Sequence, residues 1–178
     1  MDMTLVKAAV FIVASGGFFL FSRRWLMHPK SHGFWRFFVF EGILLLLLIN
    51  VGFWFRGPFK PVQLISWMLL VGSAFLPLHG LAMLVKRGKP KGSFENTRKL
   101  VTSGLYRYIR HPMYASLLYL AWGIFLKHIT VPSVFLVSLI TVLIVVMARV
   151  EEKEMLKKFG RPYASYMRAT RMFIPYVI

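Results

Sequence analysis

Apolar residues in this chain neither alternate along strands nor recur on one face of a helix; they run together in blocks. Leu5–Phe21, Phe37–Phe55, Val62–Val85 and Pro132–Ala148 are almost unbroken, and a shorter block covers Met113–Leu126. A helix needs about 20 apolar residues to cross the hydrocarbon core. Lipid admits only structures that satisfy every backbone polar group internally. The pattern therefore predicts an all-α, polytopic membrane protein with five spans, at about 5–21, 37–55, 62–85, 112–126 and 132–149. The fourth block is short, so its helix either starts before Met113 or is partly shielded by protein. Arg23, Arg24 and Trp25 follow the first block where a secretory signal would carry small residues, so that block is read as a true span.

Prolines and glycines punctuate the polar segments. Pro112 lacks an amide hydrogen and suits a first helical turn, so the fourth helix is expected to begin there with His111 at its mouth. The fifth helix is expected to run out of the membrane through "RVEEKEMLKKFG" and stop at Gly160 and Pro162. Beyond it, "RPYASYMRATRMFIP" mixes Arg161, Arg168 and Arg171 with Tyr163, Tyr166 and Phe173. That mixture predicts an amphipathic helix, lying in the membrane interface or packed as a cover. No repeat or low-complexity linker interrupts the chain, which is read as one domain over 1–178.

Charge adds orientation. The 178 residues carry 23 Lys and Arg against six acids, a net charge of +17. Nineteen of those cations fall in Arg23–Arg36, Lys86–Arg110 and the segment after Ala148. Retention of positive loops on the cytoplasmic side then places the amino terminus outside and the carboxyl terminus inside. The excess charge is explained by topology and by anionic lipid, and nucleic acid is not an expected partner. Zero cysteines exclude disulfides and thiolate chemistry. The five histidines are dispersed, without the spacing of a metal site.

Three of the six acids sit together in the tail. On a helix, residues three and four apart share a face, which gives Glu152 to Arg149 and Glu154 to Lys157 and Lys158. Glu151 has only Met147, Ala148, Glu154 and Met155 as neighbours, and so is available to hold an external cation. At the mouth of the fourth helix, Tyr106 and Tyr114 flank His111, where aromatic rings could stack on a flat heterocycle and free amides could hold an anion. Within the spans, Glu41 and His79 lie at similar depth near the cytoplasmic edge. Intramembrane ionisable groups are functional candidates, so this pair is read as a base, a substrate contact or a structural hydrogen bond. Asn50, deeper, reads as interhelical glue.

The stretch "LVTSGLYRYIRHPMY", followed by "EEKEMLKKFGRPYASYMRATRMFIP", resembles the carboxyl half of the isoprenylcysteine carboxyl methyltransferases and their kin among phospholipid N-methyltransferases. The shared pattern is Gly-x-Tyr, Arg-His-Pro-x-Tyr, a hydrophobic hairpin, Glu-Glu, Phe-Gly-x-x-Tyr-x-x-Tyr and a final Pro, within a cofactor-binding half at about 95–178. The resemblance implies a membrane methyltransferase using S-adenosyl-L-methionine, held between the fourth and fifth helices near the cytoplasmic face. Carried over residue by residue, it implies cofactor contacts at Arg98, Lys99, Leu100, Val101, Tyr106, His111, Pro112, Met113, Tyr114 and Glu151, and a substrate contact at Arg149. Ser116 stands where the family often has glycine, which tightens the passage between helices. The implied acceptor is lipophilic: a prenylated cysteine, an ethanolamine phospholipid or a small thiol. A non-enzymatic membrane protein, or a proton-coupled transporter using Glu41 and His79, is the reading from another class.

Overall fold

The computed structural model describes residues 2–57, 60–89 and 97–175. Among these, six α-helices follow in order: α1 Met3–Leu26, α2 His32–Asn50, α3 Pro61–Gly88, α4 Pro112–Phe125, α5 Val131–Phe159 and α6 Arg161–Ala169. Four of them, α1, α2 with its following 3-10 turn, α3 and α5, are long and apolar enough to cross a membrane, and α4 is a shorter apolar helix. The block pattern is thus realised as an all-helical, multi-pass membrane protein. Residues 95–96 and 176–178 of the expected cofactor-binding half lie outside the described residues.

Helix ends follow local chemistry more than apolar block ends. Asp2 accepts from the Thr4 amide at 3.0 Å and caps α1, and Thr130 with Ser133 forms a reciprocal capping box on α5. Prolines occupy the first turns of α3, α4, α5 and α6, where their missing amide hydrogens cost nothing. At its far end α5 continues to Phe159, and Gly160 breaks it with φ 60° and ψ −133°, a conformation open to glycine. That break lets α6 turn back over the α5 exit.

Packing proceeds in two layers, α2 against α5 and α3 against α4, with α1 laid on α2. Val39, Ile43 and Leu46 of α2 meet Ile140, Ile144 and Ala148 of α5 in the core. Lipid tails are as apolar as leucine, so helices associate in a bilayer by close contact, which small residues permit. A Cβ on Gly42 would lie 2.8 Å from Ile140 Cγ1, and one on Gly123 would lie 2.9 Å from Leu70 Cγ and 3.2 Å from the Ser66 carbonyl. The glycines therefore set the α2–α5 and α3–α4 separations.

The short α4 begins at Pro112 and is shielded by protein: Ala115, Ser116, Ala121, Gly123, Ile124 and Phe125 are all buried. Its end is closed by the following turn, with the Lys127 amide donating to the Ile124 carbonyl at 3.1 Å and the His128 amide to that of Phe125 at 3.2 Å, and neighbouring helices add side-chain donors. Ser66 donates to the Gly123 carbonyl at 2.7 Å, Asn50 to that of Ile124 at 3.0 Å, and Gln63 to those of Leu126 and Lys127 at 3.1 and 3.2 Å. Asn50 is thereby an interhelical link, as its depth suggested.

Replacing Gly123 with valine is expected to force α3 and α4 apart and to cost about 1–3 kcal/mol. Asn50→Leu is expected to cost roughly 0.6–1.7 kcal/mol, the range of hydrogen bonds between membrane helices. Reversible unfolding in mixed micelles, titrated with a denaturing detergent, measures both.

Candidate active site

The polar segment between α3 and α4 is shaped before any side chain chemistry enters. Gly104 opens a 3-10 turn, Gly104–Arg107, with φ 66°. A side chain there would be strained and would strike Met83 and His79 of α3. The chain then passes through Tyr108–His111 beside the segment that follows α6, with Ile109 and Arg171 in a parallel bridge. The Arg110 amide donates to the Arg171 carbonyl at 2.7 Å, the Arg171 amide to the Tyr108 carbonyl at 3.2 Å, and the His111 amide to the Met172 carbonyl at 3.1 Å. From α6, the Tyr166 hydroxyl donates to the Tyr106 carbonyl at 2.7 Å. Of the two placements open to the amphipathic helix, the cover is the one observed.

This clamp delivers two cationic side chains to the two adjacent carboxylates of α5. Arg110 Nε donates to Glu152 Oε1 at 2.7 Å, and the same guanidinium donates to the Met167 and Thr170 carbonyls. His111 lies between the carboxylates, with Nδ1 3.4 Å from Glu151 and Nε2 3.4 Å from Glu152. Its ring is parallel to that of Tyr114, 5.3 Å between centroids. Burial alone would depress the His111 pKa, but Glu151 and Glu152 prevail and hold it above the ordinary 6.5. Tyr106 and Tyr163 are held protonated, first by burial and then by the charge of Glu151.

Glu151, His111 and these aromatic rings line a cavity of about 400 Å³ that opens between the helices. One wall is polar and aromatic: Tyr106, His111, Tyr114, Glu151 and Tyr163. The rest of the lining is mostly apolar, with Phe21, Phe40, Pro77, Leu117 and Leu120. Two hydroxyls among it, Ser73 and Ser116, donate back to their own helices at 2.7 and 2.6 Å.

Eight of the residues singled out from sequence line this cavity: Leu100, Val101, Tyr106, His111, Pro112, Met113, Tyr114 and Glu151. The other candidates stand elsewhere. Arg98 and Lys99 have exposed side chains, and their amides close the end of α3 by donating to the Gly88 carbonyl at 2.9 and 3.1 Å. Arg149 is exposed on α5 and does not reach the cavity wall. Glu41 accepts from Ser15 of α1 at 2.6 Å, while the His79 ring stacks on Phe75. No hydrogen bond or ion pair joins Glu41 to His79 among the described residues. Tertiary partners join in the tail: Glu152 pairs with Arg110 and Glu154 with His32 of α2, both at 2.7 Å.

Residues beyond the expected set also reach the cavity. Arg110, Tyr163 and Tyr166 do so, and each lies within the two quoted motifs. Arg36 of α2 lines it as well, with its guanidinium 5.1 Å above the Phe21 ring. An arginine buried at the head of an otherwise apolar block was the available signal for Arg36.

The sequence model of the phospholipid methyltransferase family matches residues 62–162, from the start of α3 into α6. The chain belongs to that family, a class of membrane methyltransferases. Two relatives are methanethiol S-methyltransferases. That of Crocosphaera subtropica (strain ATCC 51142 / BH68) is 27% identical over 158 residues, covering 86% of this chain and 55% of the relative. That of Pseudomonas deceptionensis is 26% identical over 178 residues, covering 96% of this chain and 60% of the relative. The chain thus spans less than two thirds of either relative's length.

Removing one member of the buried pair strands the other. Arg110→Leu is expected to cost about 3–5 kcal/mol by leaving Glu152 without its cation, whereas Arg149→Ala, at an exposed position, is expected to fall within roughly 0.5 kcal/mol of wild type. Stability should also depend on pH through His111. A raised folded pKa means that the contribution of the charged ring is fully present below 6.5 and is lost as pH rises through the folded value. Thermal melts across the neutral and alkaline range should show that decline, and His111→Gln should flatten it.

Proposed function

We propose that this protein is an S-adenosyl-L-methionine-dependent membrane methyltransferase acting on a small lipophilic acceptor, with a thiol favoured. The observation that carries the reading is the cavity's mixed lining: Glu151 and His111 with aromatic rings, beside an otherwise largely apolar surface. The donor set fits the methyl donor. Glu151 is a carboxylate, its side chain 26% exposed, on a cavity otherwise lined by aromatic and apolar groups, and suits a cationic amino group. Tyr106, His111, Tyr114 and Tyr163 offer flat faces and protonated phenols to a heterocycle. Leu100, Val101, Pro112 and Met113 would close the donor side against water. Bound there, S-adenosylmethionine supplies an activated methyl group on a sulfonium.

The protein's own contribution is to position and to dehydrate. Clamping of Tyr108–His111 by the post-α6 segment fixes His111, and His111 fixes the Glu151 carboxylate. Burial behind α6 keeps water from the reacting centre, which strengthens the electrostatics and limits side reactions. Among the apolar lining residues, the hydroxyls of Ser73 and Ser116 donate to their own helices. An apolar thiol loses little on entering such a lining. The activity named for the two relatives points the same way. In this reading the basic loops place the site on the cytoplasmic side of the membrane. A proton-coupled transporter built on Glu41 and His79 draws no support from the geometry, since neither residue lines the cavity.

Calorimetric titration of the detergent-purified protein with S-adenosylhomocysteine tests the reading. Wild type should bind, Glu151→Ala should lose at least on the order of tenfold in affinity, as deletion of a charge-assisted contact does, and Glu41→Ala should bind like wild type. Methyl transfer to short alkanethiols should exceed transfer to phosphatidylethanolamine. No binding by a folded wild type, or equal binding by Glu151→Ala, would overturn it.

A further inference from the structure

Outside the cavity, the described residues hold a second concavity of about 210 Å³, behind the clamp. Its rim carries Arg107 from the 3-10 turn, Arg168 from α6 and Arg171 from the segment after α6, together with Tyr108 and Pro175. All three arginines are exposed. The only side-chain bond among them is Arg168 to the Ser165 hydroxyl at 3.0 Å, and among the described residues none has a carboxylate partner. The five acids among the described residues are committed elsewhere: Glu152 to Arg110, Glu151 to His111, Glu154 to His32, Glu41 to Ser15 and Asp2 to the Thr4 amide.

The three charges cannot simply be carried apart by the backbone. Arg171 is pinned by the pairing of its amide and carbonyl with Tyr108 and Arg110, and Arg107 ends the turn held by Gly104. Like charges gathered on fixed backbone repel, by about 1 kcal/mol at 4 Å even in water, and a bound anion removes that cost. Guanidinium forks match phosphate oxygens two at a time. The cleft lies on the outer side of the turn leading into α4, where the chain enters the membrane, and α6 beside it mixes arginines with buried tyrosines. That placement favours an anion fixed at the membrane surface, where basic residues gain about 1 kcal/mol each near anionic lipid.

We propose that the Arg107–Arg168–Arg171 cleft is a binding site for the phosphate headgroup of an anionic phospholipid. The segment that forms its wall is the same one that holds Tyr108–His111 against α5. A headgroup bridging Arg107 to Arg168 and Arg171 joins the two sides of the clamp and holds the cavity's cover in place. The site is independent of which acceptor is methylated.

The test uses the full chain in nanodiscs of phosphatidylcholine with increasing phosphatidylglycerol, read by thermal melting and by the number of phosphatidylglycerol molecules retained in native mass spectrometry. A triple variant, Arg107→Gln with Arg168→Gln and Arg171→Gln, is set against a control of equal charge loss, Arg23→Gln with Arg24→Gln and Lys30→Gln. Phosphatidylglycerol should raise the wild-type midpoint and be retained. The triple variant should need on the order of tenfold more of it for the same shift, while the control should behave as wild type. Equal responses of triple variant and control would overturn the site. Stabilisation by inorganic phosphate in pure phosphatidylcholine, with nothing further from phosphatidylglycerol, would overturn the lipid as occupant in favour of a soluble anion. Arg168→Gln alone, on the exposed face of α6, serves if the triple variant does not fold.

Discussion

Two adjacent carboxylates on one helix, Glu151 and Glu152, hold the catalytic side of this molecule together. In a chain of net charge +17, acids are scarce, and a buried carboxylate is costly unless cations and hydrogen bonds meet it. Arg110 and His111 meet both. They are consecutive residues, and the backbone that carries them is held by its pairing with Arg171 and Met172. The ion cluster and the clamp therefore support one another. Disturbing either of them loosens the cavity wall formed by His111, Tyr114 and Glu151.

A second constraint comes from the bilayer. A helix as short as α4 would leave its last carbonyls in hydrocarbon, a cost of several kcal/mol for each. The Lys127 and His128 amides of the following turn and three polar side chains, Asn50, Gln63 and Ser66, reaching across from α2 and α3, remove it. Gly123, against Leu70 and the Ser66 carbonyl, allows the close α3–α4 approach. In the proposed function the shortness of α4 is then useful: it would bring the polar turn at His111 into the layer where a flat, charged donor and a lipophilic acceptor could meet.

The mixed lining of the cavity follows from which elements face it. Its polar part comes mostly from the α3–α4 segment, α5 beyond the membrane and α6; its apolar part comes mostly from α1, α2, α3 and α4 within it. Helical extension of α5 past its apolar block unites the two, because Glu151 is carried out of the hydrocarbon on the same rigid rod whose lower turns pack against Val39 and Leu46.

Much of this was written in the sequence. Uninterrupted apolar blocks fixed the number and order of the membrane helices, since nothing but a helix satisfies the backbone there, and Pro112 and Gly160 marked ends that backbone geometry dictates. Glu151 stood out because helical spacing left it without a cation. Pairwise partners were another matter. Spacing gave Glu152 to Arg149, yet the folded chain gives it Arg110, and it brings His32 to Glu154; both partners lie far away in sequence and arrive only through packing. Glu41 and His79 share a depth along the membrane normal, but depth says nothing of rotation about a helix axis, and their helices turn them to Ser15 and Phe75. Sequence determined which residues cross the bilayer and which are chemically available; only tertiary structure decided which of them face one another, because facing depends on helix rotation and on contacts between distant segments.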